Sequence, residues 1–267
     1  MPKLKMFQVD AFAERVFAGN PAAMLVVDEW PAEDLMQAVA AENNLAETAF
    51  ARRDGAGFEL RWFTPVLEAA FCGHATLATA HVLATSYGVA GEITFSTRKV
   101  GTLKVRPDTG GYTLDVPSLV PEPLEPMPEL LRGLFPLGYA DAFRNFDNLF
   151  VVLAREAEVR AFVPDDRRIA AFHPLGLCIT ALADTGGKID FLSRYFAPGA
   201  GIPEDPVTGS THATLVPYWS KRLGRPHMAA YQASKRGGHL ACRLAGDRVL
   251  LTGRAATFME ACIDLPD

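Results

Sequence analysis

The chain has 267 residues, of which 49% are hydrophobic and 21% are charged. This composition excludes a disordered or fibrous protein and is typical of a globular chain of one or two domains with a large core. The 26 basic and 31 acidic side chains give a formal net charge of −5. Because binding to a phosphate backbone requires an excess of basic residues, we expect no nucleic acid partner.

The cysteines and the N-terminus indicate a cytoplasmic protein. Four cysteines lie far apart, at positions 72, 178, 242 and 262, and none belongs to a CxxC pair. This spacing favours a reducing compartment over a disulfide framework. The first residues, MPKLKMFQVDAF, lack the continuous apolar stretch of a secretory signal, so we expect no export.

Short strands dominate the predicted elements. A first helix is predicted over 31–42, where apolar residues share one face and Asn43-Asn44 provides a stop. Further helices are predicted over 128–135, 165–172 and 209–223. The predicted strands are FELRWF (58–63), EITFST (92–97), GTLKVRP (101–107), GYTLDV (111–116), LCITALA (177–183), KIDFLSRYF (188–196) and RVLLTG (248–253). Strands outnumber helices without regular alternation, which predicts an α+β fold.

One segment, residues 69–91, contains no Asp, Glu, Lys or Arg. A membrane span is disfavoured because the segment holds two histidines, several hydroxyl residues and three glycines. A helix without a charged face has no side suited to water, so GHATLATAHVLATS is predicted to be enclosed by other structure. We therefore expect no membrane partner, and we interpret His81 on this helix as a satisfied core histidine.

The chain contains signs of an internal duplication. Residues 117–128 hold five prolines and form the best linker, near the middle of the sequence. RWFTP at 61–65 resembles RYFAP at 194–198. Each motif is followed by a loop and then by a charge-free helical segment, the second of which lies within 206–220. This repeated order predicts two similar domains that face each other across a cleft.

Both charge-free helices begin with a glycine, as Gly73-His74 and as Gly209-Ser210. Helix starts carry unpaired N–H groups and a partial positive charge, and glycine lets a ligand approach the backbone. A small carboxylate is the natural ligand because no Walker loop or GxGxxG motif points to a nucleotide. The alternative is that both glycines only permit tight turns. The His74 ring could serve as a donor or proton carrier, and Ser210 could cap its helix or donate to the ligand.

Two carboxylates are candidates for catalysis. Glu47 lies among apolar residues in NNLAETAF, so it is either an outward residue of an edge strand or a desolvated carboxyl. Desolvation would raise its pKa toward neutrality, which suits general acid–base catalysis. Asp205 in PEDPVTGS precedes the second charge-free helix, where a carboxylate usually caps the helix or interacts with its dipole. At that position it could also accept a hydrogen bond from a substrate.

The sequence provides little support for a metal site or for thiol chemistry. The six histidines form no HExxH motif and no close grouping with cysteine, so we expect no metal. Cys72 precedes Gly73 and suggests racemisation by two opposed cysteines. That mechanism needs a second thiol at the other helix start, and residues 199–212 contain none. We therefore interpret Cys72 as a packing residue, and its chemical role stays open.

Several motifs follow one another along nearly the whole chain: FQVDAF (7–12), FAGNPAA (17–23), AENNLAETAF (41–50), LRWFTP (60–65), CGHATLATAHVL (72–83), EDPVTGSTHA (204–213) and YQASKRGGHL (231–240). In these motifs the chain resembles the PhzF family of phenazine biosynthesis-like proteins, which have the diaminopimelate epimerase fold. It departs from the common family pattern at Ala46, where many relatives have serine, and at Thr211, where alanine is common.

The resemblance implies two pseudo-symmetric domains, each a curled mixed β-sheet or barrel wrapped around a buried central helix. It places residues 1–117 in the first domain, joined by a C-terminal strand near 255–267, and residues 118–254 in the second. It also implies a homodimer without a cofactor. In the family's phenazine enzyme, an acid at the position of Glu47 moves a proton between carbons of a dihydro-hydroxyanthranilate.

We therefore expect a cytoplasmic, cofactor-independent isomerase that acts on a small cyclic or amino carboxylic acid. The expected catalytic residues are Glu47, His74 and Asp205, and the expected substrate-binding residues are Ser210, Gly73 and Gly209. Two alternatives stay open: an amino-acid epimerase that uses Glu47 with a non-thiol partner, and a metabolite-binding or regulatory protein with the same fold. The fold by itself does not select the substrate or the pathway.

Overall fold

The computed structural model describes residues 3–184 and 187–265, so residues 1, 2, 266 and 267 of the predicted first domain lie outside the described part. The strands, in chain order, are β1 (Lys3–Ala11), β2 (Asn20–Val27), β3 (Glu47–Asp54), β4 (Gly57–Phe63), β5 (Glu68–Ala69), β6 (Ile93–Ser96), β7 (Thr102–Asp108), β8 (Gly111–Pro117), β9 (Glu122–Pro123), β10 (Asp141–Arg144), β11 (Asn148–Val152), β12 (Gly176–Leu182), β13 (Phe191–Ala197), β14 (Ile202–Asp205), β15 (His227–Gln232), β16 (Gly238–Ala245), β17 (Arg248–Gly253) and β18 (Ala255–Asp264).

The helices of the described residues are fewer than the strands, as the sequence predicted. They are α1 (Glu33–Asn43), α2 (Gly73–Ser86), α3 (Glu129–Arg132), α4 (Glu156–Ala161), α5 (Asp166–Ala170) and α6 (Gly209–Leu223), with one 3₁₀ turn at Pro198–Ala200. Asn44 ends α1 in the left-handed conformation, which agrees with the predicted stop. Within the described residues, no helix combines the length and the apolar character needed to cross a membrane.

The chain divides into two compact units, unit 1 (Met1–Val116 with Leu251–Asp267) and unit 2 (Pro117–Leu250). The C-terminal strand belongs to unit 1 because β18 pairs antiparallel with the whole of β1. The proline-rich segment 117–128 begins where unit 1 gives way to unit 2. Proline lacks the backbone N–H that a continuing sheet would use, which suits such a segment to a change of unit.

The strands of unit 1 form a mixed sheet around α2. β1 pairs antiparallel with β2, β2 parallel with β3, and β3 antiparallel with β4. β4 pairs antiparallel with β5 and parallel with β6, and β7 continues the sheet antiparallel to β6. α2 packs against β1, β2, β3, β7 and β18. Because strands from distant parts of the sheet contact one helix, the sheet curls around it.

The predicted enclosure of α2 holds over most of its length. Ten of its residues are buried, from Gly73 to Leu83. The hydroxyls of Thr76 and Thr79 donate to the carbonyls four residues earlier, at 2.6 and 2.7 Å, which satisfies them without water. His81 differs from the prediction: it is half-buried, and its Nε2 lies 2.9 Å from the Thr257 hydroxyl of β18. The last turn of the helix is exposed.

Unit 2 repeats the strand order of unit 1. β10 and β11 are antiparallel, β11 and β12 parallel, and β12 and β13 antiparallel. β13 pairs antiparallel with β14 and parallel with β15, which pairs antiparallel with β16. The central helix follows β14 in unit 2, as it follows β5 in unit 1. This helix, α6, packs against β15 and β16, and its Tyr218 and Trp219 stack on Phe143 of β10 and Phe191 of β13.

The repeated sequence motif has a repeated structure. Arg61 on β4 donates through Nε to Glu68 of β5 at 2.7 Å. Arg194 on β13 donates through Nε to Glu204 of β14, also at 2.7 Å. Each guanidinium also lies 5.0 Å from the ring of the phenylalanine two residues later. The shared ion pair explains why RWFTP and RYFAP look alike.

A further core lies outside the unit 2 sheet, under three short helices. Leu131 of α3, Val159 of α4 and Ile169 of α5 pack with Leu177 and Ile179 of β12. α3 is shorter than the predicted helix because Gly133 ends it. The sequence did not predict α4, which has only six residues and therefore shows no clear helical period.

Candidate functional site

The first candidate group forms where two parallel strands of unit 1 begin. β2 and β3 pair in parallel with Ala22 opposite Glu47. Asn20 and Glu47 are the first residues of these neighbouring strands and therefore lie at the same end of the sheet. α2 begins at the same place, with Cys72 as its extended N-cap and His74 as its second residue. Three separate stretches of sequence thus place four polar side chains together.

The distances within this group are short. Nε2 of His74 lies 3.2 Å from Oε2 of Glu47. On the other side of the ring, Nδ1 of His74 lies 3.1 Å from the Asn20 amide nitrogen and 3.4 Å from Sγ of Cys72. The N-cap residue Cys72 makes no capping hydrogen bond through its side chain. We call Asn20, Glu47, Cys72 and His74 the α2 cluster.

His74 is a neutral imidazole in this environment. It is 4% exposed, and burial lowers its pKa to about 3. An amide N–H of Asn20 donates to Nδ1, so the single ring proton lies on Nε2, the nitrogen that faces Glu47. A neutral neighbour does not hold a carboxylate in its ionised form as a guanidinium does. Arg61, for example, lowers the pKa of Glu68.

The position of Glu47 decides between the two interpretations of its sequence context. β3 pairs with β2 on one side and with β4 on the other, so the edge-strand interpretation is wrong. The Glu47 side chain is 13% exposed. It is therefore largely shielded from water but not fully enclosed, so the desolvated-carboxyl interpretation fits the structure.

A tight turn before β2 sets the position of Asn20. Gly19 has φ +62°, and a Cβ there would lie 2.1 Å from the carbonyl oxygen of Ala11, so only glycine fits. The buried carboxylate of Asp10 accepts the amide of Phe17 at 2.8 Å and closes the same loop. Sequence reasoning did not identify Asn20, although it lies in the resembling segment FAGNPAA.

The second candidate group surrounds the start of α6 in unit 2. Asp205 ends β14, and its Oδ2 accepts the hydroxyl of Thr208, the N-cap of α6. Gln232, which is fully buried, accepts the Thr208 amide at 2.7 Å through Oε1. Its Nε2 donates to the Asp205 carbonyl at 2.8 Å and to the Thr208 hydroxyl at 3.1 Å. We call Asp205, Thr208 and Gln232 the α6 network.

The predicted residues Gly209 and Ser210 follow this network directly. Gly209 is buried and Ser210 is half-buried. Within the described residues, the Ser210 side chain makes no hydrogen bond, so it does not cap α6. His212 is fully buried, with Nδ1 2.9 Å from the Thr208 carbonyl, and burial lowers its pKa to about 4. Sequence reasoning did not identify Gln232, although it lies in the resembling segment YQASKRGGHL.

The structure thus brings the predicted residues into two groups. Glu47, His74 and Gly73 meet at the start of α2, and Asp205, Gly209 and Ser210 meet at the start of α6. Cys72 also lies in the first group, with its Sγ 3.4 Å from Nδ1 of the His74 ring. The group at α2 consists mainly of ionisable side chains, whereas the group at α6 consists mainly of side chains that form hydrogen bonds.

Comparison with known proteins identifies the family. The chain matches the PhzC-PhzF family, phenazine biosynthesis-like protein, over residues 9–126 and 137–261. An uncharacterised isomerase from Pseudomonas aeruginosa is 45% identical over 263 residues, covering 98% of this chain and 99% of the relative. A PhzF family crystal structure from Enterococcus faecalis superposes with a TM-score of 0.93 at 42% identity, covering 99% of this chain and all of the other.

A more distant likeness concerns the fold only. A hydroxyproline epimerase from Agrobacterium vitis has a TM-score of 0.59 at 12% identity, covering 99% of this chain and 93% of that chain. Together with the strand order of each unit, this confirms the predicted α+β, diaminopimelate epimerase-like fold. The chain belongs to the PhzC-PhzF family of phenazine biosynthesis-like proteins and, with relatives named isomerases, is a PhzF-like isomerase.

Proposed function

We propose that this isomerase moves a proton between two carbons of a small cyclic or amino carboxylic acid, without a cofactor, and that Glu47 carries the proton. The observation that carries the proposal is the setting of Glu47: a mostly buried carboxyl, 3.2 Å from a neutral imidazole, beside the start of a central helix. Partial burial disfavours the charged form of a carboxyl, which suits a group that takes up and returns a proton.

The proton balance of the reaction is simple. The carboxylate of Glu47 takes a proton from one carbon, and the electron pair left behind delocalises into the substrate's conjugated carboxylate. Glu47 then returns a proton to a different carbon, so the enzyme ends as it began. During its time on Glu47 the proton can exchange with solvent, because the side chain is not fully enclosed.

His74 and the helix amides support this transfer. With its proton on Nε2, the ring presents an N–H toward the carboxyl of Glu47 or toward a substrate oxygen held beside it. The backbone N–H groups at Gly73 and the helix dipole of α2 favour negative charge. They would stabilise the substrate carboxylate and the charge that develops as the proton leaves.

In unit 2, Asp205 and Ser210 are proposed to bind polar groups of the substrate, with the amides near Gly209. The Thr208 hydroxyl occupies Oδ2 of Asp205 and fixes the orientation of the carboxylate. The half-buried Ser210 hydroxyl makes no hydrogen bond within the described residues, so it is available to a ligand.

The test is proton exchange in deuterated water. The protein is incubated with a panel of cyclic and amino carboxylic acids, and NMR follows both label incorporation and rearrangement. Glu47→Gln should lower the rate about 10²–10⁴-fold, because it removes the proton carrier. Glu260→Gln, an exposed glutamate paired with Lys5 on unit 1, is the matched control and should keep the wild-type rate.

Two outcomes would contradict the proposal. Exchange at a substrate carbon that survives in Glu47→Gln, with inversion of configuration, would favour an amino-acid epimerase. Tight binding of a panel acid without exchange in the wild type would favour a binding or regulatory protein. Loss of exchange in both Glu47→Gln and Glu260→Gln would trace the effect to stability.

We further propose that the protein is a cytoplasmic homodimer. None of the four cysteines forms a disulfide, and three of them are buried, which suits a reducing compartment. On unit 1, Phe17 is 69% exposed and Phe258 is 44% exposed, and their rings pack edge to face at 5.5 Å. An exposed aromatic pair of this kind fits a second copy of the chain. Light scattering of the purified protein measures the oligomeric state directly.

A further inference from the structure

Three different metal-binding groups meet in the α2 cluster. The thiol of Cys72, the imidazole of His74 and the carboxylate of Glu47 each offer one ligand atom, and these atoms all lie within 4.8 Å of one another. Within residues 3–184 and 187–265, this is the group of histidine, cysteine and acidic side chains close enough to share one ion. Two of the three side chains are buried, and the third is mostly buried.

The separations are close to those of a tetrahedral zinc site. Zinc bound to sulfur, nitrogen and oxygen at normal bond lengths places its ligand atoms about 3.3–3.6 Å apart. Nε2 of His74 is 3.2 Å from Oε2 of Glu47 and 3.9 Å from Sγ of Cys72. The third separation, between Sγ of Cys72 and the Glu47 carboxylate, is at most 4.8 Å. Binding one ion among the three ligand atoms therefore needs side-chain shifts of about 1 Å.

Asn20 completes the arrangement from behind the ring. A histidine that binds metal through one nitrogen almost always has its other nitrogen hydrogen-bonded, which fixes the tautomer and the ring direction. The fully buried Asn20 amide lies 3.1 Å from Nδ1 and leaves Nε2 directed at Glu47. An amide offers both a donor and an acceptor, so rotation of its plane lets it accept the Nδ1 proton when Nε2 binds an ion.

We propose that Cys72, His74 through Nε2, and Glu47 form a binding site for a zinc-class divalent ion. Thiolate and imidazole select Zn²⁺ over Mg²⁺ and Ca²⁺, which prefer all-oxygen sites. On binding, Cys72 releases its thiol proton to solvent and Glu47 binds as the carboxylate, leaving a fourth position for water or a small anion. Ion binding itself does not depend on the proposed function. Its effect on activity rests on that function, because an ion bound to Glu47 would reversibly block proton transfer.

Direct binding provides the test. Protein stripped with a chelator is titrated with Zn²⁺ against a chromophoric competitor, and with Co²⁺ while the thiolate-to-metal absorption band is recorded. Wild type should bind one ion and show the band. Cys72→Ser should bind about 100-fold more weakly or worse and lack the band, since loss of a ligand costs at least as much as loss of a supporting residue.

Cys262→Ser is the matched control, because Cys262 is the exposed cysteine of unit 1 and the natural site for adventitious binding. It should bind like the wild type and keep the band. Glu47→Gln retains the thiol and should lose about 10–100-fold in affinity, so it tests the site even if Cys72→Ser fails to fold.

The proposal is overturned if folded wild type binds no stoichiometric Zn²⁺, if Cys72→Ser binds as tightly as wild type, or if Cys262→Ser is the variant that loses the ion. These readouts need no substrate. The exchange assay for the proposed function is run with excess chelator, so failure of one proposal leaves the other intact. Where exchange is found, added Zn²⁺ should abolish it and chelator should restore it.

Discussion

The starts of α2 and α6 occupy the same place in the structural repeat, but they carry different chemistry. At α2, a carboxyl, an imidazole and a thiol lie within 4.8 Å of one another. At α6, the buried amide of Gln232 joins the Asp205 carbonyl to the N-cap residue Thr208 in a hydrogen-bonded network. The first arrangement is the one proposed to move a proton and to bind an ion, and the second joins the end of β14 to the start of α6 by hydrogen bonds.

Strand register shows how the two units diverged. Thr48 pairs with Phe63 in unit 1, and Leu177 pairs with Phe196 in unit 2, so Thr48 and Leu177 occupy equivalent positions. The residues that precede them, Glu47 and Gly176, are therefore equivalent too. A Cβ on Gly176 would lie 2.0 Å from the Tyr195 hydroxyl oxygen, which leaves no room for a carboxylate there. The repeat thus preserves the scaffold twice but provides a carboxylate at this position once, which agrees with the proposed one-base isomerase.

The comparison predicts its largest stability effect at Gln232. Gln232→Leu removes three hydrogen bonds and leaves the Thr208 amide buried without its acceptor. We expect a loss of about 3 kcal/mol in the free energy of unfolding, because orphaned buried groups cost more than the bonds themselves contribute. Urea unfolding at neutral pH measures it.

Gln37→Leu is the matched control for this change. Gln37 is half-buried on α1 and donates a single hydrogen bond, 2.8 Å long, to the Thr64 carbonyl. Its loss should cost about 1 kcal/mol. Equal costs for the two substitutions would mean that the α6 network is not the rigid element that the comparison requires.

An intermediate effect is expected from His212 as pH falls. Its folded pKa of about 4 lies below the ordinary 6.5, so between these values the unfolded state binds the proton first and acid destabilises the fold. Stability from this group is complete above pH 6.5 and declines by up to ~1.4 kcal/mol per pH unit below it.

His212→Leu isolates this term. The variant should be less stable than wild type at pH 7 by about 1 kcal/mol, from the lost Nδ1 hydrogen bond. By pH 5 the difference should move in favour of the variant by about 2 kcal/mol. His74 and His81, whose pKa values burial also lowers, are present in both proteins and cancel. A difference independent of pH would refute the assignment.

The smallest stability effect is expected at Ser210. Its hydroxyl makes no hydrogen bond within the described residues, so Ser210→Ala should change the free energy of unfolding by less than ~0.5 kcal/mol. If Ser210 binds substrate, the same variant should raise KM about 2–10-fold, the equivalent of one hydrogen bond. An unchanged KM for an exchanging substrate would remove Ser210 from the binding site.

Local sequence was sufficient for much of the fold. The charge-free stretch of α2 has no face suited to water, so its burial follows from composition. Alternation in FELRWF and GYTLDV located β4 and β8 to within a residue, because a half-buried strand needs period two. The short helix α4 was not predicted, because six residues are too few to establish a helical period.

The candidate residues Glu47, His74, Asp205 and Ser210 were also accessible from the sequence, since each stands beside a motif or helix start that can be recognised locally. Their partners were not. Asn20 and Gln232 are single amides in ordinary strands, and they become important only because β2 starts beside β3 and β15 runs past the start of α6.

The sequence by itself indicated two related halves, each with a helix whose first turns carry no charge, because missing charge is a property of neighbouring residues. Only the tertiary structure decided which side chains meet at each helix start. Metal-ligand spacing was absent along the chain, yet Glu47, Cys72 and His74 come within 4.8 Å because parallel strand pairing and an enclosed helix bring distant residues to one edge. Distance in space is set by strand register and packing, which local sequence does not encode.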